Sequence, residues 1–267
     1  MTPSIVTLQK GTLPLVISIP HGGEYLPDSL ARLMTPAART LADTDWHLAR
    51  LYGFAAEMGA SIVRANYSRY VIDVNRPSDG GALYPGQTTT SLCPITSFRG
   101  EALYAKPQDQ PGPEETSRRV QDYWQPYHDA LTSELARVRA LHENVLLWEA
   151  HSIASVLPYL FEGRLPDLNI GTFSGAACAP SLKQAVVRAA KVSTFSWVAD
   201  ERFKGGHITR QYGRPDSGVH VVQLEMAQSL YMDESLPFSY REDLACKVIP
   251  TLQTMVSDAL HAMSELR

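Results

Sequence analysis

Cysteine is scarce in this chain. Cys93, Cys178 and Cys246 stand far apart in 267 residues, with no C-x-x-C pair. Neither a disulfide framework nor a thiolate zinc site is indicated. Basic charge is also in short supply: 24 Lys and Arg face 28 Asp and Glu, for a net charge of −4. That balance leaves no basic footprint for nucleic acid and no polybasic stripe for a membrane surface. No apolar run approaches the roughly 20 residues of a membrane span. The opening "MTPSIVTLQKGTLP" lacks the basic-then-apolar layout of a signal peptide. The expected compartment is therefore a reducing cytoplasm. Several motifs are missing as well. "FKGGHI" has no G-K-[ST] ending, no G-x-G-x-x-G follows a strand, and "GTFSGA" is not a G-x-S-x-G elbow. These gaps exclude a phosphate loop and weaken a serine hydrolase. Cys93 and Cys178 have no recognisable Cys-His context, so a thiol nucleophile is the weakest reading.

What the chain does contain is a core. A hydrophobic share of 44% and a charged share of 19% belong to a globular protein, and we read residues 1–267 as a single domain. "LPLVISIP", "ASIVRANY", "RYVIDVN", "NVLLWEAH", "LNIGTFS" and "GVHVVQLEMA" read as strands. "DTDWHLARLYGFAAEMG" reads as a helix, as does the stretch from Pro113 through "LTSELARVRALHE", where Val120, Trp124, Tyr127, Leu131, Leu135 and Val138 recur at spacings of three and four. A closing helix runs from about Arg241 to Arg267. Strands alternating with helices predict an α/β fold, with a mostly parallel, mixed central sheet covered by helices on both faces. Residues 77–112, rich in Gly, Pro, Thr and Ser, form a loop long enough to be a lid or binding loop.

In such sheets ligands gather beyond the carboxyl ends of the strands. Three strands carry chemistry there. The first ends at His21, "NVLLWEAH" ends at His151, and "VHVVQLEMA" holds Glu225 inside an apolar run. A lone histidine at a strand end is often only a hydrogen-bonded structural residue. A buried carboxylate is rarer, because leaving it unpaired is costly. Two imidazoles and a carboxylate at one end of a sheet point to a zinc hydrolase, whose metal takes three protein ligands and keeps a position open. Two carboxylates compete for the third ligand. Glu24 makes H-x-x-E with His21, and Asp45 opens the next helix, where it could equally be a dipole partner beside the potential caps Asp43 and Thr44.

Taken together, "IPHGG", "DTDWHLARLY", "YSRYVIDVNRP", "ALYPGQTTT", "LLWEAHSI", "RFKGGHITRQYGRP" and "VQLEMAQSLYMDE" resemble the bacterial N-formylglutamate amidohydrolases (deformylases) of histidine breakdown, over nearly the whole chain. The resemblance implies a zinc-exopeptidase-like, phosphorylase/hydrolase-like α/β sandwich, similar to carboxypeptidases and to the zinc amidases that trim peptidoglycan. It also implies hydrolysis of N-formyl-L-glutamate to formate and L-glutamate. Those amidases carry a strand ending in G-H-G-G, an acidic ligand at the next helix start, then a later histidine and a glutamate in a final strand. His21, Asp45, His151 and Glu225 meet that order. The comparison favours Asp45 over Glu24, whose position in the deformylases is commonly not acidic, and leaves His47 as a lesser candidate. The implied zinc ligands are His21, Asp45 and His151, with Glu225 as general base. The implied substrate is a small dianionic amino-acid derivative, so its site needs cations, and arginine's planar fork suits a carboxylate. Arg69, Arg76 and Arg210 are the candidates. Asn75 beside Arg76 resembles the carboxypeptidase device that grips a terminal carboxylate, and Arg214 lies close to Arg210. His207, where relatives often have an aromatic, receives no role. Ser152 reads as a packing residue.

Overall fold

The computed structural model of the chain describes residues 2–81 and 90–266. Residues 82–89 of the expected site loop lie outside that description. Seven strands form one sheet: β1 (Val6–Gln9), β2 (Leu15–Ile19), β3 (Ser61–Ala65), β4 (Val145–Ile153), β5 (Leu168–Gly171), β6 (Trp197–Ala199) and β7 (Val219–Ala227). Their spatial order is β1-β3-β2-β4-β7-β5-β6. The central β3, β2, β4 and β7 are mutually parallel, whereas β1 and β5 run antiparallel to their inner neighbours. β2, β4 and β5 are buried along their whole length, as strands covered on both faces must be.

Alternation along each strand divides the core in two. On one face Leu15, Ile17, Ile19, Leu146, Trp148, Ala150, Val222, Leu224 and Met226 meet α6 (Pro180–Val192) and α8 (Glu242–Ser264). The short α2 (Leu48–Leu51) and α3 (Gly53–Met58) pack there too. On the other face Val16, Val63, Val145, Leu147 and Val221 lie under Tyr127, Leu131, Leu135 and Val138 of α5 (Gln125–Arg139). This second face carries the chemistry. Beyond Leu147 the same row of β4 continues into Glu149 and His151, and beyond Val221 the same row of β7 continues into Gln223 and Glu225. Two further short helices are α1 (Asp28–Ala31) before the site and α7 (His207–Tyr212) beside β7.

Two expected elements differ. The helix expected over "DTDWHLARLYGFAAEMG" starts only at Leu48, because His47 takes a left-handed backbone (φ 62°) and breaks the run from Asp45. "RYVIDVN" forms no strand, although Val71, Ile72 and Val74 are buried. The α4–α5 run supplies the reason. It consists of α4 (Pro113–Arg119), a π-helical turn over Val120–Trp124, and α5. The π-turn adds a residue to the helix, and Arg119, Trp124 and His128 all reach the same segment. Arg119 donates to the Val71 carbonyl (2.9 Å), His128 Nε2 lies 2.8 Å from the Val74 carbonyl, and Trp124 Nε1 donates to the Arg76 carbonyl (2.9 Å). The Asp73 N–H donates to the Leu92 carbonyl (2.7 Å), and Asp73 Oδ1 accepts from the Asn75 N–H (2.9 Å). Buried backbone groups that a ladder would pair are paired by side chains and one loop carbonyl instead.

Among the described residues no helix is long and apolar enough to cross a membrane. The sheet-to-α5 seam should dominate stability on the site face. Leu131 is fully buried in it, so Leu131→Ala should cost about 2–5 kcal/mol. Urea unfolding should report a lower midpoint with an unchanged m-value.

Candidate active site

Pro20 has no N–H to give a ladder, so β2 stops and the chain turns at His21. The turn is held by backbone. The Asp45 N–H donates to the His21 carbonyl (3.0 Å), and the Tyr25 N–H donates to the Asn66 carbonyl (3.0 Å). Gly23 is required by that approach, since a Cβ there would stand 2.1 Å from the Tyr67 carbonyl oxygen. Asp45 is thereby delivered to the strand ends, where Oδ2 accepts from the Ser152 N–H (3.2 Å) and lies 3.1 Å from His151 Nδ1 and 3.8 Å from His21 Nδ1. His21, Asp45 and His151 are all at least nine-tenths buried, and their ligand atoms lie within 4.8 Å of one another.

Each imidazole is backed by a second carboxylate. His21 Nε2 is 2.7 Å from Asp73 Oδ1, and His151 Nε2 is 2.8 Å from Glu149 Oε1. Such backing fixes the ring and leaves the other nitrogen as the ligand. Glu149 also accepts from Asn75 Nδ2 (2.5 Å) and Thr209 Oγ1 (2.5 Å). Burial and the Arg69 charge lower His21 below the usual imidazole range, against the pull of Asp73 and Asp45. Its Nδ1 is buried without any hydrogen-bond partner. Burial opposes charge on His151, yet hydrogen bonds to Asp45 and Glu149 carry it up to about 10. Burial, with Asp45 adding to it, pushes Glu225 up to about 8, against the opposing pull of His151. Without a bound cation the cluster therefore retains protons to offset its carboxylates. An orphaned imidazole nitrogen, two donors converging on it and this excess of negative charge fit a divalent cation.

The cluster opens into a cleft. His21, His151, Glu225, Arg69, Arg76 and Thr90 line it together with Phe98, Ile153, Leu160, Arg202 and Phe203, and Asn75, Ser152, Gly206 and Gln223 also touch it. His151 and Glu225 are paired in register on β4 and β7, so the two side chains stand side by side. Arg69 Nη2 donates to Asp73 Oδ2 (2.7 Å), and its guanidinium lies 4.5 Å from the Phe98 ring centroid. Arg76 is tethered by donating to Thr90 and to the Asn75 carbonyl.

Other candidates fall elsewhere. Glu24 is exposed, and the carboxylate that meets both imidazoles is that of Asp45. His47 Nε2 lies 2.7 Å from the Phe238 carbonyl. Asn75 touches the cleft, but its amide is spent on Glu149 and on the Ile208 N–H, so it braces the wall under His151. Arg210 is not among the described lining residues; its Nε donates to the Gly205 carbonyl and its guanidinium sits 4.6 Å from the Phe173 ring centroid. Arg214 donates to local carbonyls. Asp43 caps no helix and instead accepts from the Phe98 N–H (2.8 Å), which ties the later part of the 77–112 loop to the cleft. Ser152 touches the cleft, but its Oγ is turned to the Tyr231 hydroxyl, 2.5 Å away.

A family model described as N-formylglutamate amidohydrolase matches residues 13–232. The chain belongs to the N-formylglutamate amidohydrolase family. That name denotes hydrolases of an amide C–N bond. Proteins named N-formylglutamate deformylase from Pseudomonas putida and Pseudomonas aeruginosa are each 50% identical to it, over 242 and 244 residues, covering 90% of this chain and of the relative. A crystal structure of N-formylglutamate amidohydrolase from Ralstonia eutropha JMP134 superposes with a TM-score of 0.78 at 22% identity, covering 97% of both chains. A gene product of Agrobacterium tumefaciens superposes at 0.73 and 18% identity, covering 98% of this chain and 97% of its own. The α/β fold is thus that of known members of the family.

Asp73 and Glu149 are the functional residues that the strand-end reading missed. A signal existed: both are carboxylates inside apolar runs, "VIDVN" and "LLWEAH", and Glu149 shares a strand face with His151. The Asp73 carboxylate is buried, but the facing His21 and the Arg69 and Arg76 guanidinium groups hold it well below the usual range. Asp73→Ala should cost about 3–5 kcal/mol by stranding buried Arg69. Because the folded value is depressed, this contribution is full above the unfolded carboxylate range and is lost as pH falls through the folded value. Denaturant titrations at neutral and strongly acid pH should show the gap narrowing only in acid.

Proposed function

We propose that the chain hydrolyses N-formyl-L-glutamate to formate and L-glutamate, with a zinc ion held by His21, Asp45 and His151, as a step of histidine breakdown. The observation that carries this reading is the convergence of those three donors beside Glu225 in the cleft, in a chain half identical to proteins named as deformylases of that compound. A zinc ion held there would supply Lewis acidity, polarising the formyl oxygen and acidifying the attacking water to a pKa of about 7.

The remaining work falls to the chain's own side chains. Glu225, in register beside His151 and at the cleft surface, takes the proton from the attacking water and returns it to the leaving nitrogen. Asp73 and Glu149 hold the imidazoles in the tautomer that presents Nδ1. Arg76, fixed by Thr90 and by Trp124 on its own carbonyl, aims its free donors at the substrate's α-carboxylate. Arg69 adds positive charge on the same side of the cleft, next to Asp45 and Asp73. Binding in this frame makes the attack effectively unimolecular.

Glu225→Gln should lower kcat for formate release by about 10²–10⁴-fold while metal analysis finds zinc still bound. Full activity in that variant would remove Glu225 from the proton relay, and an Asp45→Ala variant that keeps its metal would overturn the ligand assignment. Metal loading should also release protons. His151, raised to about 10, and Glu225, raised to about 8, are both protonated near neutrality in the metal-free protein, whereas a ligand imidazole must be neutral. Affinity should therefore rise as pH is raised from 6 to 9, and calorimetric heats of zinc binding should depend on the ionisation enthalpy of the buffer. A pH-independent affinity would contradict the protonated cluster.

A further inference from the structure

The three arginines of the cleft differ in what already neutralises them. Arg69 is paired with Asp73 at 2.7 Å and lies 3.8 Å from Asp45. Arg76 lies 3.9 Å from Asp73 and spends donors on Thr90 and Asn75. Arg202 has no ion pair among the described residues, and its Nε is buried with no hydrogen-bond partner. Its guanidinium lies 5.2 Å from the Phe161 ring centroid and 5.6 Å from that of Phe203. Burial, with no carboxylate to offset it, pulls the group below the usual arginine range. A partly desolvated cation held in a cleft without a counter-ion is costly unless a ligand provides one.

Its surroundings narrow the ligand. Phe98, Ile153, Leu160 and Phe203 line the same cleft and make that wall apolar. The segment is anchored on both sides of Arg202. Before it, Asp200 accepts from the N–H groups of Thr172 and Ser174 and from Lys183 Nζ. After it, the Gly206 N–H donates to Gln223 Oε1 (2.7 Å), and a Cβ on Gly206 would meet Asn75 Nδ2 at 2.4 Å. The backbone that carries Arg202 is therefore held before any ligand arrives, and the guanidinium rests between the Phe161 and Phe203 rings.

We propose that Arg202 is the residue that selects the substrate's distal carboxylate, its planar fork receiving the carboxylate at the end of a methylene chain laid along Phe98, Ile153, Leu160 and Phe203. The proposal rests on the deformylase reading above and deepens it. The α-carboxylate, attached next to the scissile amide, must sit near the metal cluster, where Arg69 and Arg76 share Asp73. Arg202 touches none of that cluster, which suits the carboxylate at the far end of the side chain. An apolar wall ending in an unpaired cation accepts a carboxylate-tipped aliphatic chain and discriminates against one that leaves the guanidinium unpaired.

The test compares N-formyl-L-glutamate with N-formyl-L-norvaline on the metal-loaded enzyme and its Arg202→Met and Arg202→Lys variants. Arg202→Met should lower kcat/KM for the glutamate substrate about 10- to 100-fold, mainly through KM. The norvaline substrate should be unchanged or improved, and Arg202→Lys should recover part of the loss. Calorimetric binding of N-formyl-L-glutamate to Glu225→Gln, with and without Arg202→Met, should show the same fold-change in Kd, and circular dichroism spectra should coincide. Equal losses on both substrates, or a glutamate preference that survives Arg202→Met, would overturn the proposal while leaving the deformylase reading intact. A wild-type enzyme releasing formate from neither substrate would overturn both.

Discussion

Four carboxylates, those of Asp45, Asp73, Glu149 and Glu225, are buried together at the carboxyl ends of the parallel strands, and most of the surrounding structure exists to make that tolerable. Burying even one unpaired carboxylate is expensive. Each therefore has a specific arrangement around it. Asp73 is set between His21 and Arg69, Glu149 takes bonds from His151, Asn75 and Thr209, and Asp45 receives the Ser152 N–H and faces both imidazoles. Glu225 faces the cleft and answers burial by holding its proton. This gathering of carboxylates is local, built by the strand register of Glu149 and Glu225 and by the turns that carry Asp45 and Asp73. The net charge of −4 spread over the whole chain does not foretell it.

This constraint explains the least regular part of the fold. A strand over residues 69–75 would place side chains on alternate sides of the sheet at fixed spacing. The observed turn puts Asp73 against His21, Asn75 against Glu149 and Arg76 at the cleft, which a single face of a strand could not do for adjacent residues. Abandoning the ladder frees backbone groups, and Arg119, Trp124 and His128 from the α4–α5 run satisfy them. The π-turn belongs to the same solution, since it lets residues five and four apart address one segment. Secondary structure here yields to the placement of charge.

The same logic separates what was legible in the sequence from what was not. The sheet was readable because buried strands are continuous apolar runs, and a histidine or glutamate interrupting such a run stands out. His21, His151 and Glu225 are visible for that reason. Asp45 was visible only through the order shared with the family, because nothing local tells a carboxylate that reaches back over a strand end from one that caps a helix. The segment 69–75 was misread because alternation of apolar residues records burial, not hydrogen bonding: Val71 and Ile72 pack into different clusters without any strand. Arginine roles were the least legible. Arg202 and Arg210 lie on one stretch of loop and helix, and only the turn at Gly205 and Gly206 decides which of them lines the described cleft.

The division among the cations then follows from what each must balance. Arg69 and Arg76 answer to carboxylates of the protein itself, so they stay fixed whether or not a ligand is bound, and they can orient a substrate at little reorganisation cost. A dianionic substrate entering a pocket lined by Glu225 and backed by the buried Asp45, Asp73 and Glu149 would be repelled if those arginines were its only attraction. The proposed metal reverses the sign of the potential at the scissile end. Arg202, with no carboxylate partner among the described residues, supplies attraction at the other end. On this account the two ends of the substrate are recognised by different means: one by a charge shared among buried groups, the other by a single, partly desolvated guanidinium. Selectivity for the distal group can therefore change by substitution on the loop between Asp200 and Gly206 without disturbing the network that holds the imidazoles.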